Sequence, residues 1–480
     1  MTLTDVFTLL PFITIAGTIL VLMLVIAFYR HHLVALLVTI FGLGLVFVSL
    51  PLISHELEAQ ITPLIILDGF GLFYVGLLVG AGMIVAIFAY DYLKRLETHR
   101  EEFYILLLLA TLGSTVLVAS SHFASFLLSL EILSITLYAM IAYTRLQSQR
   151  IEAGLKYLIL AGATTAFLMF GMALIYAETG SLEFSPSSAL GSSAGDTSLV
   201  MLIGWGMVSV GIAFKLALVP IHVWAPDVYQ GASAPVTAFI ATVSKASIFA
   251  LMLRYFIGVN FHDDATLVSM FSIMAIVSIL IGNLAALIQN SVKRILAYSS
   301  IAHMGYLMIA FLAQGALAQP AIAFYFVAYF LTILSAFGVI TLLSHPDREI
   351  DHIDDYRGLF WRRPWQALPL AISLISLAGL PPSAGLIGKI YIAAAGVESS
   401  LWLLLITLAV GSVIAIFYYI RILITLFLQS EDESHKQTAY PPFSRVGGAV
   451  LLGLSILVVG LGIFPAPVFR IIEALVTILG

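Results

Sequence analysis

Apolar runs of membrane-spanning length recur along the chain, separated by short polar stretches. A helix needs about 20 apolar residues to cross a bilayer, and the runs predict about fourteen such helices. Their limits are 6–28, 33–53, 69–90, 103–120, 122–143, 154–177, 198–221, 236–257, 266–288, 296–314, 320–344, 366–396, 401–428 and 446–477. The tightest predicted turn lies at Ser121, between the fourth and fifth runs. The opening segment, MTLTDVFTLL, lacks a basic region and a small-residue cleavage site, so the first run is expected to be a retained span.

The polar stretches alternate in charge. One set carries Arg30; Lys94, Arg95 and Arg100; Arg145 and Arg150; Lys293 and Arg294; Arg348, Arg357, Arg362 and Arg363; Lys436 and Arg445. The other carries Glu56, Glu58, Glu178, Glu183, Asp196, Asp263 and Asp264. Basic loops stay in the cytoplasm, so an even number of spans predicts both termini on the periplasmic side. Three polar stretches are longest: Glu178–Ser198, read as an outer loop, Ser344–Pro364, read as a solvated loop or docking surface, and Ser430–Arg445. None is long enough to be a domain.

Composition agrees. The 480 residues are 61% hydrophobic and 10% charged, against roughly 25% charged in a soluble domain. A net charge of −5 without long basic runs gives nothing to grip nucleic acid. No cysteine is present, which excludes disulfides and thiolate-held iron–sulfur clusters. Neither GxGxxG nor GxxxxGK[ST] occurs.

Against this apolar background the stretch Gly211–Ser247, GIAFKLALVPIHVWAPDVYQGASAPVTAFIATVSKAS, stands out. Lys215 and Lys245 lie inside runs that otherwise read as lipid-buried helix, with Pro220, Pro226 and Pro235 between them. A charge near the bilayer centre costs about 2.5–3.5 kcal/mol on insertion scales and marks ion paths. A second break, Gly379-Leu-Pro-Pro-Ser-Ala-Gly385, precedes Lys389 five spans later. Two Gly/Pro-interrupted spans at matching places point to inverted repeats with a site at each interruption.

Further candidates are Glu131, mid-span in SLEILSITLYAM, and His303, flanked by Ser299, Ser300 and Tyr306 with Lys293 below it. Lys156 can also be explained as a lysine reaching to the interface, and His222 as a cap on freed carbonyls. A lone core histidine and a structural Glu–Lys pair are the plainer readings of His303 and Glu131. Arg254, Arg421 and Arg470 sit nearer span ends and are expected to snorkel.

Lysine suits proton transfer. Leaving water penalises a lysine's charged form and a nearby carboxylate favours it, so a movable Glu–Lys contact switches between holding and releasing a proton. No ring of carboxylates suggests a sodium cage. Moving a proton against about 100 mV requires about 2.3 kcal/mol. The energy must come from a partner subunit or from a counter-ion gradient in an antiporter. A lipid- or quinone-directed enzyme would want a loop nucleophile or metal cluster, and the sequence shows neither.

The segment VPIHVWAPDVYQGASAPVTAFIATVSKAS (Val219–Ser247) resembles the signature of the antiporter-like membrane subunits of respiratory complex I, the NADH–quinone oxidoreductase. DVYQG and the Ser244-Lys245 pair resemble its N branch. LDGFGLFY, SLEILSITLY, IEAGLKYLIL, NSVKRILAYSSIAHMGYL, DDYRGLFWRRP and SLAGLPPSAGLIGKIY extend the resemblance over nearly the whole chain. It implies an all-α polytopic membrane fold with two inverted five-helix repeats, 103–257 and 266–428, each with a broken helix. Three helices within 1–102 precede them and one at 446–477 follows. It further implies that Glu131 and Lys215 form the pair of the first half-channel. Lys245 becomes the central connector and Lys389 the gate of the second half, with Lys293 and His303 leading to it. Lys156 would stand between the pairs, and Glu102 matches a further family acid.

No cofactor is implied in this chain. Flavin and iron–sulfur clusters would belong to partner subunits, and quinone would be the substrate of the complex. The implied partners are antiporter-like subunit M and small membrane subunits, in a bacterial inner membrane. Subunits of multisubunit cation/proton antiporters and of ferredoxin-driven photosynthetic relatives share much of the pattern.

Overall fold

Among the described residues, seven of the α-helices begin where a polar side chain caps free backbone N–H groups. The computed structural model describes residues 8–53, 62–96, 100–144, 148–184, 198–346, 348–428, 440–442 and 444–476. Asp68 caps one helix through Gly71 N (2.7 Å), and His122, Ser198, Asp264, Ser291, Ser383 and Ser444 cap others. The principal helices are α1 (Leu10–Phe28), α2 (His32–Ile53), α3 (Gly69–Leu93), α4 (Glu102–Ala119), α5 (Phe123–Ile141), α6 (Ser148–Thr179), α7 (Leu199–Leu216), α8 (Trp224–Gly231) and α9 (Ala234–Gly258). They continue with α10 (Ala265–Leu287), α11 (Val292–Leu312), α12 (Ala318–Leu343), α13 (Pro364–Ala378), α14 (Ala384–Glu398), α15 (Trp402–Phe427), α16 (Arg445–Ile463) and α17 (Ala466–Val476). Among the described residues, 13 helices are long and apolar enough to cross a membrane, and α13 with α14 makes one further, broken crossing.

The expected spans differ from these helices in four places. The run 198–221 stops at Leu216, where Ala217 takes a left-handed φ of 59°. Between the runs 198–221 and 236–257, where the sequence shows only a proline-interrupted stretch, Trp224–Gly231 forms α8, which buries Trp224, Ala225, Pro226, Val228 and Tyr229. The run 366–396 is two helices separated at Gly379, whose φ is +80°. The last run, 446–477, divides ahead of Ala466, at Phe464-Pro465, because proline cannot continue the helical ladder. Both inner breaks close alike. Leu218 N donates to Ala213 O (2.8 Å) and Leu380 N to Ile375 O (3.1 Å), each tying off a helix end beside a left-handed residue.

The alternation of loops survives as two faces. Loops of the basic set meet one another: Arg30 pairs with Glu102 (2.8 Å), Arg150 Nη2 donates to Pro346 O (2.8 Å) and Arg363 to Pro441 O (3.1 Å). On the opposite face His122 bridges to Glu183, and Gln314 N donates to Ser399 Oγ (2.8 Å). Arg145, Lys436, Glu56, Glu58 and Asp196 lie outside the described residues, as do 185–197 of the expected outer loop and most of 430–445. The Ser344–Pro364 stretch is not simply solvated. Ile350, Ile353, Tyr356 and Leu359 are buried, and Tyr356 OH donates back to Ile350 O (2.7 Å).

Two arginines expected to snorkel do not. Arg254 on α9 holds Asp68 through two bonds (2.8 and 3.0 Å) and lies 5.2 Å from the Phe70 ring. The side chains are 6% and 8% exposed, so this bidentate pair joins the start of α3 to the wholly buried α9. Arg421 caps the end of α10, donating to the carbonyls of Leu287 (3.3 Å) and Gln289. Arg470 is exposed. Removing one partner of a buried pair strands the other charge, at a cost of about 3–5 kcal/mol. Arg254→Ala and Asp68→Ala are each expected to lower the melting temperature of the purified assembly clearly. Arg254→Met with Asp68→Leu, which removes both charges, is expected to lower it less.

Candidate functional site

Three of the expected lysines lie inside the fold, each next to an interrupted helix. Lys215 occupies the last turn of α7. Its ammonium donates to Ser134 Oγ on α5 (2.6 Å) and lies 5.4 Å from the Tyr157 ring and 5.7 Å from Phe214. The break beside it is satisfied by side chains: Trp224 Nε1 donates to Phe214 O (2.7 Å), and Val219 N donates to Ser278 Oγ (2.9 Å). Glu131 is three residues from Ser134, hence on the same face of α5. It is only partly buried and accepts from Thr165 Oγ1 at 3.4 Å. The two expected partners are thus brought to α5 by different bonds, Lys215 to Ser134 and Glu131 to Thr165, and among the described residues no direct ion pair joins them.

Lys245 follows a π-helical turn, Ile240–Ser244, in α9. Such a turn carries an extra residue and commonly re-aims side chains at functional sites. Lys245 is fully buried, donates to Ser300 Oγ on α11 (2.7 Å) and lies 5.7 Å from the Tyr229 ring. Ser300 Oγ also accepts from Tyr329 OH (2.8 Å) and meets Tyr229 OH at 3.3 Å. α8 borders both lysines: it carries Trp224, tilted against the Tyr157 ring beside Lys215 with centroids 4.7 Å apart, and Tyr229 beside Lys245.

One turn beyond Ser300, His303 places Nδ1 2.5 Å from Tyr325 OH and Nε2 3.4 Å from Tyr419 OH, and Tyr419 bonds Ser299. Lys389 on α14 donates to Leu377 O (3.2 Å) and Ala378 O (3.0 Å), carbonyls freed by the end of α13. It lies 5.3 Å from the Tyr306 ring, whose hydroxyl accepts from Asn283 Nδ2 (3.0 Å). A cation at a helix C-terminus also meets the negative end of the helix dipole.

The other candidates lie elsewhere. Lys156 is 47% exposed on the outer surface of α6, paired with Glu152 (2.9 Å) and Asp227 (3.1 Å), so it does not stand between the buried pairs. His222 is half-buried in the α7–α8 break, and among the described residues no hydrogen bond links it to Lys215 or Lys245. Among the described residues no hydrogen bond links Lys293 to His303. An ammonium has three N–H donors, and those of Lys293 go to Gln230 O (2.9 Å), Ala232 O (2.6 Å) and Glu349 Oε2 (2.6 Å). Burial pushes the Glu349 carboxyl up, but Lys293 and Arg150 outweigh it and hold the group below its ordinary 4.5. Its contribution to stability is therefore present above that value and lost as the pH falls through the lower folded one. Asp227 behaves alike. Burial raises it, and hydrogen bonds from Arg294 and Lys156 bring it below the usual carboxylate range.

Ser134, Ser300 and the hydroxyls of Tyr229, Tyr325, Tyr329 and Tyr419 escaped the reading of the sequence as ligands. Membrane-helix hydroxyls usually bond their own backbone, as Ser134 also does to Leu130 O (2.6 Å), so nothing local sets these apart. Among the described residues no group of three or more His, Asp or Glu could hold a metal.

A family model described as NADH:quinone oxidoreductase/Mrp antiporter, TM, matches residues 120–415. The chain is 44% identical over 469 residues to "NADH-quinone oxidoreductase subunit N" of Methylococcus capsulatus, covering 97% of this chain and 94% of that one. It is 43% identical over 476 residues to the protein of the same description from Ectopseudomonas mendocina, covering 97% and 95%. Among solved structures, a chain of respiratory complex I from Thermus thermophilus superposes with TM-score 0.82 at 31% identity, covering 96% of this chain and 98% of that one. A chain of the Mrp complex from Dietzia shares the fold, with TM-score 0.85 at 19% identity, covering 100% and 98%.

Proposed function

Since the chain belongs to the antiporter-like membrane-subunit family of NADH:quinone oxidoreductases and Mrp antiporters, we propose that protons cross it along Glu131, Lys215, Lys245, His303 and Lys389. It is a multi-pass membrane subunit of a proton-pumping NADH–quinone oxidoreductase, and its partners are the other subunits of that complex. Flavin, iron–sulfur clusters and quinone reduction belong to those partners. The basic face is cytoplasmic and both termini are periplasmic. The helices of 103–257 and 266–428 form two inverted repeats, one half-channel each.

One observation carries the path. Lys215, Lys245 and Lys389 are buried, and among the described residues none has a carboxylate partner; each is held by a hydroxyl or by backbone carbonyls. Lysine exists as ammonium or amine. A lysine bound only to hydroxyls and carbonyls changes protonation without stranding a carboxylate. Serine and tyrosine hydroxyls both donate and accept, so Ser134 can serve Lys215 and Ser300 can serve Lys245, with Glu131 three residues from Ser134 on the same face of α5. Lys156, Lys293 and His222 are not on this path.

The test is Lys215→Ala and Glu131→Ala in the assembled enzyme, scored by quenching of a pH-sensitive dye in proteoliposomes driven by NADH. Both variants are expected to assemble and to pump several-fold less. Fully assembled variants that pump at the parental rate would remove the axis. Purification from gentle detergent separates the antiporter reading, since hydrophilic flavin and iron–sulfur subunits are expected to come with this chain.

A further inference from the structure

Glu349, in the loop after α12, is 10% exposed and gathers partners from four helices. Its carboxylate accepts from Tyr92 OH on α3 (2.6 Å), from Ala234 N at the start of α9 (3.2 Å) and from Lys293 on α11 (2.6 Å). Arg150, at the start of α6, lies 3.6 Å away. Lys293 and Arg150 are each 1% exposed. Asp351 fixes the same loop to α11, accepting from Ser291 Oγ (2.7 Å) and Lys293 N (3.0 Å), and it also takes Gln230 Nε2 (3.1 Å).

The cluster stands over the central lysine. Lys293 and Ser300 are seven residues apart on α11, so they share one face, two turns or about 10 Å apart. Ser300 holds Lys245 (2.7 Å). Gln230, whose carbonyl takes Lys293, adjoins Tyr229, whose hydroxyl meets Ser300. All three donors of Lys293 are occupied, which makes it a closure and not a carrier. Resting on the proton path above, we propose that Glu349, Lys293 and Arg150 form a gate that shuts the cytoplasmic approach to Lys245, with Glu349 as the residue that keeps it shut. The gate joins α6 and α8 of the first repeat to α11 of the second, so a shift between the repeats would open it.

The experiment uses the assembled enzyme in liposomes. Passive proton conductance is read after imposing a pH gradient without NADH, and protons per NADH are read during turnover. Glu349→Gln leaves two buried cations without their carboxylate, and is expected to raise the passive leak several-fold and lower the ratio. Glu349→Asp keeps the charge but withdraws it by one methylene, and is expected to leak less. It carries the test if the glutamine variant does not assemble. Adding Lys245→Met to Glu349→Gln is expected to abolish the added leak. Assembled glutamate variants with no added leak overturn the gate, as does a leak that persists without Lys245. The path itself fails by a separate result, parental pumping in Lys245→Met alone.

Discussion

Lys245→Met is expected to lower NADH-driven proton translocation by about tenfold or more, the effect of roughly 1.4 kcal/mol on the limiting step. Methionine fills a similar volume without a titratable group, so the substitution leaves the fully buried site packed and Ser300 free to bond Tyr329 (2.8 Å). What disappears is the single protonatable group between Lys215 and His303 on the proposed line. Coupled quinone reduction is expected to fall with pumping, while electron transfer to a water-soluble acceptor in the hydrophilic arm is expected to persist. That contrast separates a blocked path from a failed assembly.

Gly385→Ala is expected to be nearly as damaging, for a different reason. A Cβ on Gly385 would fall inside the Ser376 carbonyl and lie 2.8 Å from Ser376 Oγ. Ser376 belongs to α13 and Gly385 to α14, so the two halves of the broken crossing touch backbone to backbone here. Neither side can yield by rotating a side chain. Overpacking of this kind costs about 1–3 kcal/mol. Lys389 is one turn along α14, and its bonds to Leu377 O and Ala378 O depend on the spacing that Gly385 sets. A misplacement of about 1 Å can cost about a hundredfold in rate. The measurements are the amount of assembled complex and its coupled turnover. A well-assembled Gly385→Ala enzyme at the parental rate would show that the break tolerates widening.

The membrane fold was legible because hydrophobic length is a one-dimensional signal. Fourteen crossings and two charge-sorted faces follow from apolar runs and loop residues alone. The buried lysines were legible for the same reason, since a charge inside an apolar run is conspicuous wherever it points. Partners were not legible, because they depend on which helix faces which. Lys293 and Lys156 both lie near the starts of apolar runs. Yet one is saturated by Glu349 and two carbonyls, and the other sits half-exposed beside Asp227. Arg254 looked like a span-end residue until the start of α3 supplied Asp68. Glu349 lies in a mixed-charge loop that reads as solvated, and its burial is created by four helices remote in sequence.

The protons translocated per NADH oxidised by the reconstituted Lys245→Arg enzyme test the central claim most directly. Arginine keeps the positive charge beside Ser300 but does not release its proton in proteins. A path that carries protons through Lys245 predicts a ratio well below the parental value in a fully assembled complex. A parental ratio at the parental rate would show that only the charge matters there, and would contradict proton transfer through this lysine.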